Sequence, residues 1–367
     1  MINTKKLLKY YFNDSSYIIL DFLWSKRERL SYACKFGHYD EALLLLKSEE
    51  PHLKRNLYYA CKGGYISIIK ALIQKSKNKG DTNLWNSGLY GACKGSQLEA
   101  CRLMIEKAGE ALDWTRGLEG GCEGGNIDII NLMINKLGST TEGPTLDDWK
   151  SGASALPRLT PEAARSGLYG ACKGGNITIV NLMIQKLGKP TPNDWSYGLY
   201  GACSGNSIEV VKLMIKKLGD NVTHVDWNRG LRGACKHGWV EVCCLMMAKM
   251  GNEMICDSEY RNHLLEFNNP LYYACRSGNI DTVRLMIEKY GNYISTDSWS
   301  KSLYHSCFSG NINIVKLIIE KIDTTVGEKH WNNGLKGACV GGHLKIIDFM
   351  TEKCEEQRIR LGRWPHD

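Results

Sequence analysis

The chain has 367 residues, 43% of them hydrophobic and 23% charged, which excludes a disordered, fibrous or membrane-embedded protein. It is too long for one globular core, since single cores stop growing near about 250 to 300 residues. The formal net charge of +8 favours acidic partners by long-range attraction without choosing between a protein and a nucleic acid.

Residues 1–29 open the chain with a basic start, but Asn13 and Asp14 interrupt the apolar stretch, and the run from Tyr17 to Trp24 contains Asp21. That is far short of the about 20 residues a membrane span needs, and no small-residue cleavage site follows. The segment is expected to stay on the protein and fold as a helical cap over the first of the units described next. A docking segment such as an F-box is the sharper alternative, although no Leu-Pro signature supports it.

From residue 30 to about 354 one unit recurs. Good copies of its first half begin at Trp85 (WNSGLYGACKGS), Ser166 (SGLYGACKGG), Trp195 (WSYGLYGACSGN), Trp227 (WNRGLRGACKHG) and Trp331 (WNNGLKGACVGG). Ten cysteines mark equivalent positions: Cys34, Cys61, Cys93, Cys122, Cys172, Cys203, Cys235, Cys275, Cys307 and Cys339. Most intervals are 27 to 32 residues; the intervals of 50 after Cys122 and 40 after Cys235 mark insertions near 150–166 and 252–268 rather than lost copies. Ten thiols in one register are packing residues, and fifteen cysteines in all, an odd number in so long a chain, do not form a disulfide scaffold. A reducing, intracellular compartment is expected, and secretion is not.

The second half of each unit is an amphipathic helix, as Ile177, Val180, Met183, Ile184 and Leu187 show. The first half is about two turns long and is helical only because its neighbours hold it. Gly174 and Gly175 separate the two halves, and glycine there closes the first helix in a left-handed cap. Gly91, Gly170 and Gly201 lie inside first helices at a cost of about 1 kcal/mol each against alanine, which close approach of adjacent helices would offset. A helix pair this small cannot bury its own apolar face, so neighbours must stack into one continuous core. In the insertion near 150–166, Thr160-Pro161-Glu162 reads as an N-cap, a proline in the first turn and an acidic start, lengthening the fifth first helix. The insertion near 252–268 carries Glu253, Asp257, Glu259 and Glu266, and residues 355–367 form a tail.

This pattern resembles the ankyrin repeat family, whose unit runs T-P-L-H-x-A-A-x-x-G-H-x-x-I-V-x-L-L-L-x-x-G. In the third copy Leu89 stands at the family's leucine, Ala92 and Cys93 at its alanines, and Leu103, Met104 and Ile105 in its leucine run. The family's Thr-Pro is replaced by Ser87-Gly88, its histidine by Tyr90, and its turn by the pairs Asp113-Trp114, Asp148-Trp149, Asp194-Trp195 and Asp226-Trp227. The variant looks like the ankyrin proteins that giant DNA viruses of amoebae encode. The resemblance implies an all-α helical repeat solenoid of about ten helix-turn-helix units whose concave groove binds a protein.

In that family the position just after the marker cysteine faces the groove. Here it holds Lys35, Lys62, Lys94, Glu123, Lys173, Ser204, Lys236, Arg276, Phe308 and Val340. The six cations, Lys35, Lys62, Lys94, Lys173, Lys236 and Arg276, make a ladder suited to an acidic peptide or protein surface; a merely solvated face is the plainer alternative. The recurring tryptophans Trp85, Trp114, Trp149, Trp195, Trp227, Trp299 and Trp331 are read as packing between repeats rather than as exposed anchors. Trp239 stands outside that register.

No HExxH, Gly-x-Ser-x-Gly or phosphate-binding loop occurs, and the adjacent Cys243-Cys244 lacks metal-ligand spacing. An enzyme, a cofactor, a metal, a small-molecule substrate and a membrane partner are therefore not expected. The function expected is that of a monomeric scaffold binding a host or viral protein, with nucleic acid the less favoured partner. A virion structural or packaging component and a ubiquitin-ligase substrate adaptor are the rival readings.

Overall fold

A computed structural model describes residues 26–47, 53–76, 81–109, 112–138, 159–256, 270–322 and 328–360. The proposed cap over residues 1–25, Asp148, Trp149, most of the first insertion, the later part of the second and the last seven residues lie outside them. The described residues form twenty α-helices, two short 3-10 turns and no β-strand, so the fold is an all-α helical repeat. The helices fall into ten pairs, one for each marker cysteine. Contacts divide the chain into two compact units, Met1–Asp194 and Trp195–Asp367.

In the first unit the first helices of successive repeats are α1 (Lys26–Phe36), α3 (Leu53–Gly63), α5 (Thr82–Lys94), α7 (Trp114–Gly124) and α9 (Pro161–Gly174). Their second helices are α2 (Tyr39–Leu46), α4 (Ile66–Lys75), α6 (Leu98–Ala108), α8 (Ile127–Gly138) and α10 (Ile177–Leu187). Each first helix packs on the next, α7 on α9 included, so the stack continues directly across the insertion. Helix α1 begins inside the segment expected to be cap. Helix α11 (Pro192–Gly205) spans the division between the units.

The second unit continues with α12 (Ile208–Leu218), α13 (His224–His237), α14 (Val240–Cys256), α15 (Pro270–Ser277), α16 (Ile280–Tyr290), α17 (Thr296–Ser309), α18 (Ile312–Ile322), α19 (Glu328–Gly341) and α20 (Leu344–Arg360). Here α13, α15, α17 and α19 pack in series, again without a gap at the insertion between α14 and α15. Helix α20 runs past residue 354, where the tail was expected to begin.

Thr160 caps α9 as its sequence predicts: its Oγ1 accepts from the Ala163 amide at 3.3 Å, with Pro161 in the first turn. At 14 residues the helix is longer than the other first helices of its unit and equal to α11, α13, α17 and α19. Asp194-Trp195 and Asp226-Trp227 lie in the opening turn of a first helix, and Asp113-Trp114 straddles its start, rather than lying in a turn before it. Asp113 caps α7 by accepting from the Arg116 amide at 3.1 Å. In α13, Asp226 accepts from the Thr223 amide at 2.8 Å and hydroxyl at 2.7 Å, and Ser196 of the preceding repeat donates to its other oxygen. The aspartate thus fixes the helix start and ties it to the repeat before. Of the recurring tryptophans, Trp85, Trp114, Trp227, Trp299 and Trp331 are buried, which makes them packing residues, and Trp195 is half-buried.

What joins first helix to first helix is small side chains. Nine of the ten marker cysteines are buried, together with the alanine that precedes most of them. Burial pushes up the thiols of Cys34, Cys61, Cys122, Cys172, Cys235, Cys275 and Cys307, that of Cys275 to about 12, which keeps them neutral and apolar in character. The tenth, Cys339, lies in the last first helix and is exposed. Two residues before the cysteine, Gly120 sits so close to the previous repeat that a Cβ would stand 2.9 Å from the Tyr90 carbonyl oxygen. At Gly170 and Gly337 a Cβ would press still harder on the backbone oxygens of Glu119 and Tyr304. Five residues before the cysteine a different glycine makes room for a methionine of its own second helix: a Cβ would meet Met104 Sδ at 2.7 Å from Gly88 and Met183 Sδ at 2.6 Å from Gly167. Where that glycine becomes Ser302 or Asn56, the methionine becomes Ile318 or Leu72.

The turn between the helices needs one left-handed residue, and it is Gly175 (φ 77°) rather than Gly174, which still belongs to α9. Ser96 (φ 59°) and Asn206 (φ 63°) fill the same position in two other repeats. The residue after it staples neighbours together. Asn279 caps α16 through Oδ1, accepting from Asp281 and Thr282 amides at 3.0 and 3.1 Å, while its Nδ2 donates to the Gly238 carbonyl at 3.2 Å. Asn311 does the same to Gly278 at 3.0 Å. Trp239 proves to be a version of this staple, its indole donating to the Ser204 carbonyl at 3.1 Å.

The replacement Gly170→Ala tests the close approach. Helix propensity alone would raise stability by about 1 kcal/mol, whereas pressing a methyl on the Glu119 carbonyl should lower it by about 1–3 kcal/mol. A lower midpoint in urea unfolding is expected; an unchanged or higher one would show that the helices have room to spare.

Candidate functional site

Within each unit the residues one past the marker cysteine share one face of the first helices. In the first unit Lys35 and Lys62 are exposed, while Lys94, Glu123 and Lys173 are half-buried. In the second, Lys236, Arg276 and Val340 are exposed, Phe308 is half-buried and Ser204 is buried. Arg276 lies 5.1 Å above the Phe308 ring of the next repeat, and Lys35 lies 5.0 Å above Phe36.

Three members of the ladder are joined to one another. Glu123 Oε1 accepts from Lys94 Nζ at 2.9 Å and from Lys173 Nζ at 3.2 Å, the lysines standing one repeat to either side. Its Oε2 accepts from the Tyr90 hydroxyl at 2.8 Å. One carboxylate therefore offsets part of the charge of Lys94 and Lys173, and the three groups together keep a single positive charge. Burial works against the Glu123 carboxylate, but the Lys94 hydrogen bond, the two ammonium charges and the Tyr90 hydroxyl outweigh it and hold its titration below the usual range. Burial likewise works against Lys94, and the Glu123 carboxylate overcomes it, raising the lysine. One turn back, Glu119 is pushed up by burial, against the pull of Arg116 and Lys173.

The sequence reading missed the tyrosines that wall this face. Three residues before the cysteine stand Tyr58, Tyr90, Tyr169, Tyr200, Tyr272 and Tyr304, and tyrosine there with lysine four residues on is an i, i+4 pair on one helix face. Lys94 lies 5.9 Å from the Tyr90 ring and Lys173 5.8 Å from Tyr169. Tyr58 and Tyr90 stack across repeats at 6.1 Å. In the second unit Arg232 reaches both Tyr200 (5.7 Å) and Tyr273 (5.9 Å). At the start of α3 and α5 the same face opens into a cleft of about 780 Å³ whose lining includes Lys54, Arg55, Tyr58, Tyr59 and Asp81. Cations with aromatic walls suit a carboxylate-bearing chain, since each ammonium offers three donors and each phenol one more.

Among the described residues no cluster of His, Cys, Asp or Glu has the makings of a metal site, and no helix is long and apolar enough to cross a membrane.

Comparison with known proteins agrees with part of this picture. A family model for ankyrin repeats matches residues 231–330 in three copies, the stretch from α13 to the start of α19. No curated protein matches the chain. Among solved structures, the chain is similar to the pentatricopeptide repeat protein PPR10 from maize, with 10% identity over 99% of this chain and 73% of that one and a TM-score of 0.27; so distant a likeness carries no argument. Residues 231–330 thus match the ankyrin repeat model, and the rest of the described chain repeats the same helix pair.

The Glu123 cluster predicts a pH signature. A carboxylate that titrates lower folded than unfolded adds stability above its unfolded value, about 4.3, and that stability is lost as pH falls through the folded value. Glu123→Gln should therefore be less stable than the parent at neutral pH, with the gap closing below about pH 4. Glu119, shifted the other way, is present in both proteins. Equal stability of the two across that range would show that the bridge contributes nothing.

Proposed function

We propose that this chain is a non-enzymatic scaffold that holds a protein partner with an acidic surface against the face carrying the residues one past the marker cysteine. The observation that carries the reading is the set of exposed cations on that face, Lys35, Lys62, Lys236 and Arg276, in a fold built from stacked helix pairs. Lys94 and Lys173 belong to the same ladder but meet the partner only in competition with Glu123. Stacked repeats offer an extended surface of side chains the fold itself does not need, which is how specificity is varied on such scaffolds. The deeply buried Trp and Cys residues, by contrast, have packing roles. The resemblance of the Gly-Leu-Tyr-Gly-Ala-Cys variant to giant-virus ankyrin proteins supports seeking the partner among host or virion proteins of an infected amoeba. A reducing compartment suits nine buried marker thiols.

Binding of a polyglutamate peptide, followed by fluorescence anisotropy, tests the charge reading. The parent protein should bind at low salt and weaken as salt rises. Reversal of Lys62, Lys236 and Arg276 to glutamate should weaken binding about tenfold or more, each exposed pair being worth about 0.2–1 kcal/mol, with the helical spectrum unchanged. Undiminished binding by the triple variant, or tighter binding to duplex DNA than to the peptide, would overturn the reading.

A further inference from the structure

Glu123 is the one acid among the ten residues that follow a marker cysteine, and it is held as a ligand would be. Two ammonium groups from the flanking repeats, Lys94 at 2.9 Å and Lys173 at 3.2 Å, converge on one oxygen, and the Tyr90 hydroxyl holds the other at 2.8 Å. The donors come from three different residues on two other repeats, while the acceptor comes from the repeat between them. The side chain of Glu123 is 10% exposed, whereas those of Lys94 and Lys173 are 22% and 19% exposed. A second carboxylate arriving from solvent can therefore reach the lysines, which have spare donors, while the glutamate lies beneath.

We infer that Glu123 is a built-in competitor, filling within the chain a carboxylate subsite made by Lys94, Lys173 and Tyr90 that an acidic partner would otherwise occupy. This rests on the reading of the face as an acid-binding surface and adds a rule of selection to it. Acidic residues of the partner are steered to cations that have no internal carboxylate, such as Lys62, and engage the third to fifth repeats only by displacing Glu123. The same cluster shows what the face provides for a carboxylate: ammonium groups from neighbouring repeats on one oxygen and a phenol on the other. Entropy favours the internal occupant, because Glu123 reaches the subsite without the cost of bringing in a second molecule.

The test is polyglutamate binding to Glu123→Gln, which keeps the shape and removes the charge. Affinity should rise about tenfold, equivalent to about 1.4 kcal/mol, and the gain should disappear when Lys94→Gln or Lys173→Gln is added. Should the amide disturb folding, Glu123→Asp, too short to bridge both lysines, should give a smaller gain in the same direction. Unaltered affinity in Glu123→Gln, with Lys62→Glu still weakening the parent, would overturn the competitor role and leave the acid-binding face standing. If neither the parent nor Glu123→Gln binds the peptide at low salt, both fall together.

Discussion

The backbone-to-backbone approach of successive first helices is the constraint from which the rest follows. Glycine two residues before the marker cysteine lets one helix rest on the carbonyls of the helix before it, as Gly120 does on Tyr90 and Gly170 on Glu119. Alanine and cysteine fill what space remains. At that separation residues one repeat apart touch through their side chains, and long side chains reach a common point. Lys94 and Lys173 meet on Glu123 because the first helices bearing them flank its own closely. A bulkier seam would hold the ladder's members apart as independent surface charges; the tight one couples them into a network.

The same economy operates between the two helices of a repeat. A glycine on the first helix and a methionine on the second occupy one volume; Ser302 comes with Ile318 and Asn56 with Leu72, whereas Pro270 keeps Met286. Asparagine at the head of a second helix performs two tasks, capping its own helix and donating to the preceding loop, as Asn279 and Asn311 do. Interactions that cross from repeat to repeat are thus spread over the core, the helix starts and the loops, which is how a stack of units too small to fold alone becomes cooperative.

Much of this was legible in the sequence because repetition supplies its own control. Ten cysteines in one register located ten helix pairs, and Thr160-Pro161 located a helix start next to the first insertion. The recurrence of tryptophan identified it as packing, and the structure buries Trp85, Trp114, Trp227, Trp299 and Trp331 while leaving Trp195 half-buried. What escaped was relational. The Asp-Trp pair reads as a turn until Asp226 is seen accepting from Thr223 inside the first turn of a helix. A single odd residue, Glu123, looked like a break in a basic ladder, whereas two of the rungs fold onto it and share its charge. Trp239 fell outside the tryptophan register because it belongs to another one, the staple position shared with Asn279. The tyrosines three residues before the cysteine were visible as a column, but only side-chain geometry shows them walling the cationic face.

Residues that hold the stack together are thus distinct from those left exposed, and the proposed partner would lie on the first-helix face. Lysine acetylation footprinting with bound polyglutamate, read by mass spectrometry, tests that placement most directly. The account predicts protection of Lys62 and Lys236, with no change at the exposed second-helix lysines Lys107, Lys216 and Lys321. Protection of the second-helix lysines, with Lys62 and Lys236 modified as fast as in the free protein, would contradict it.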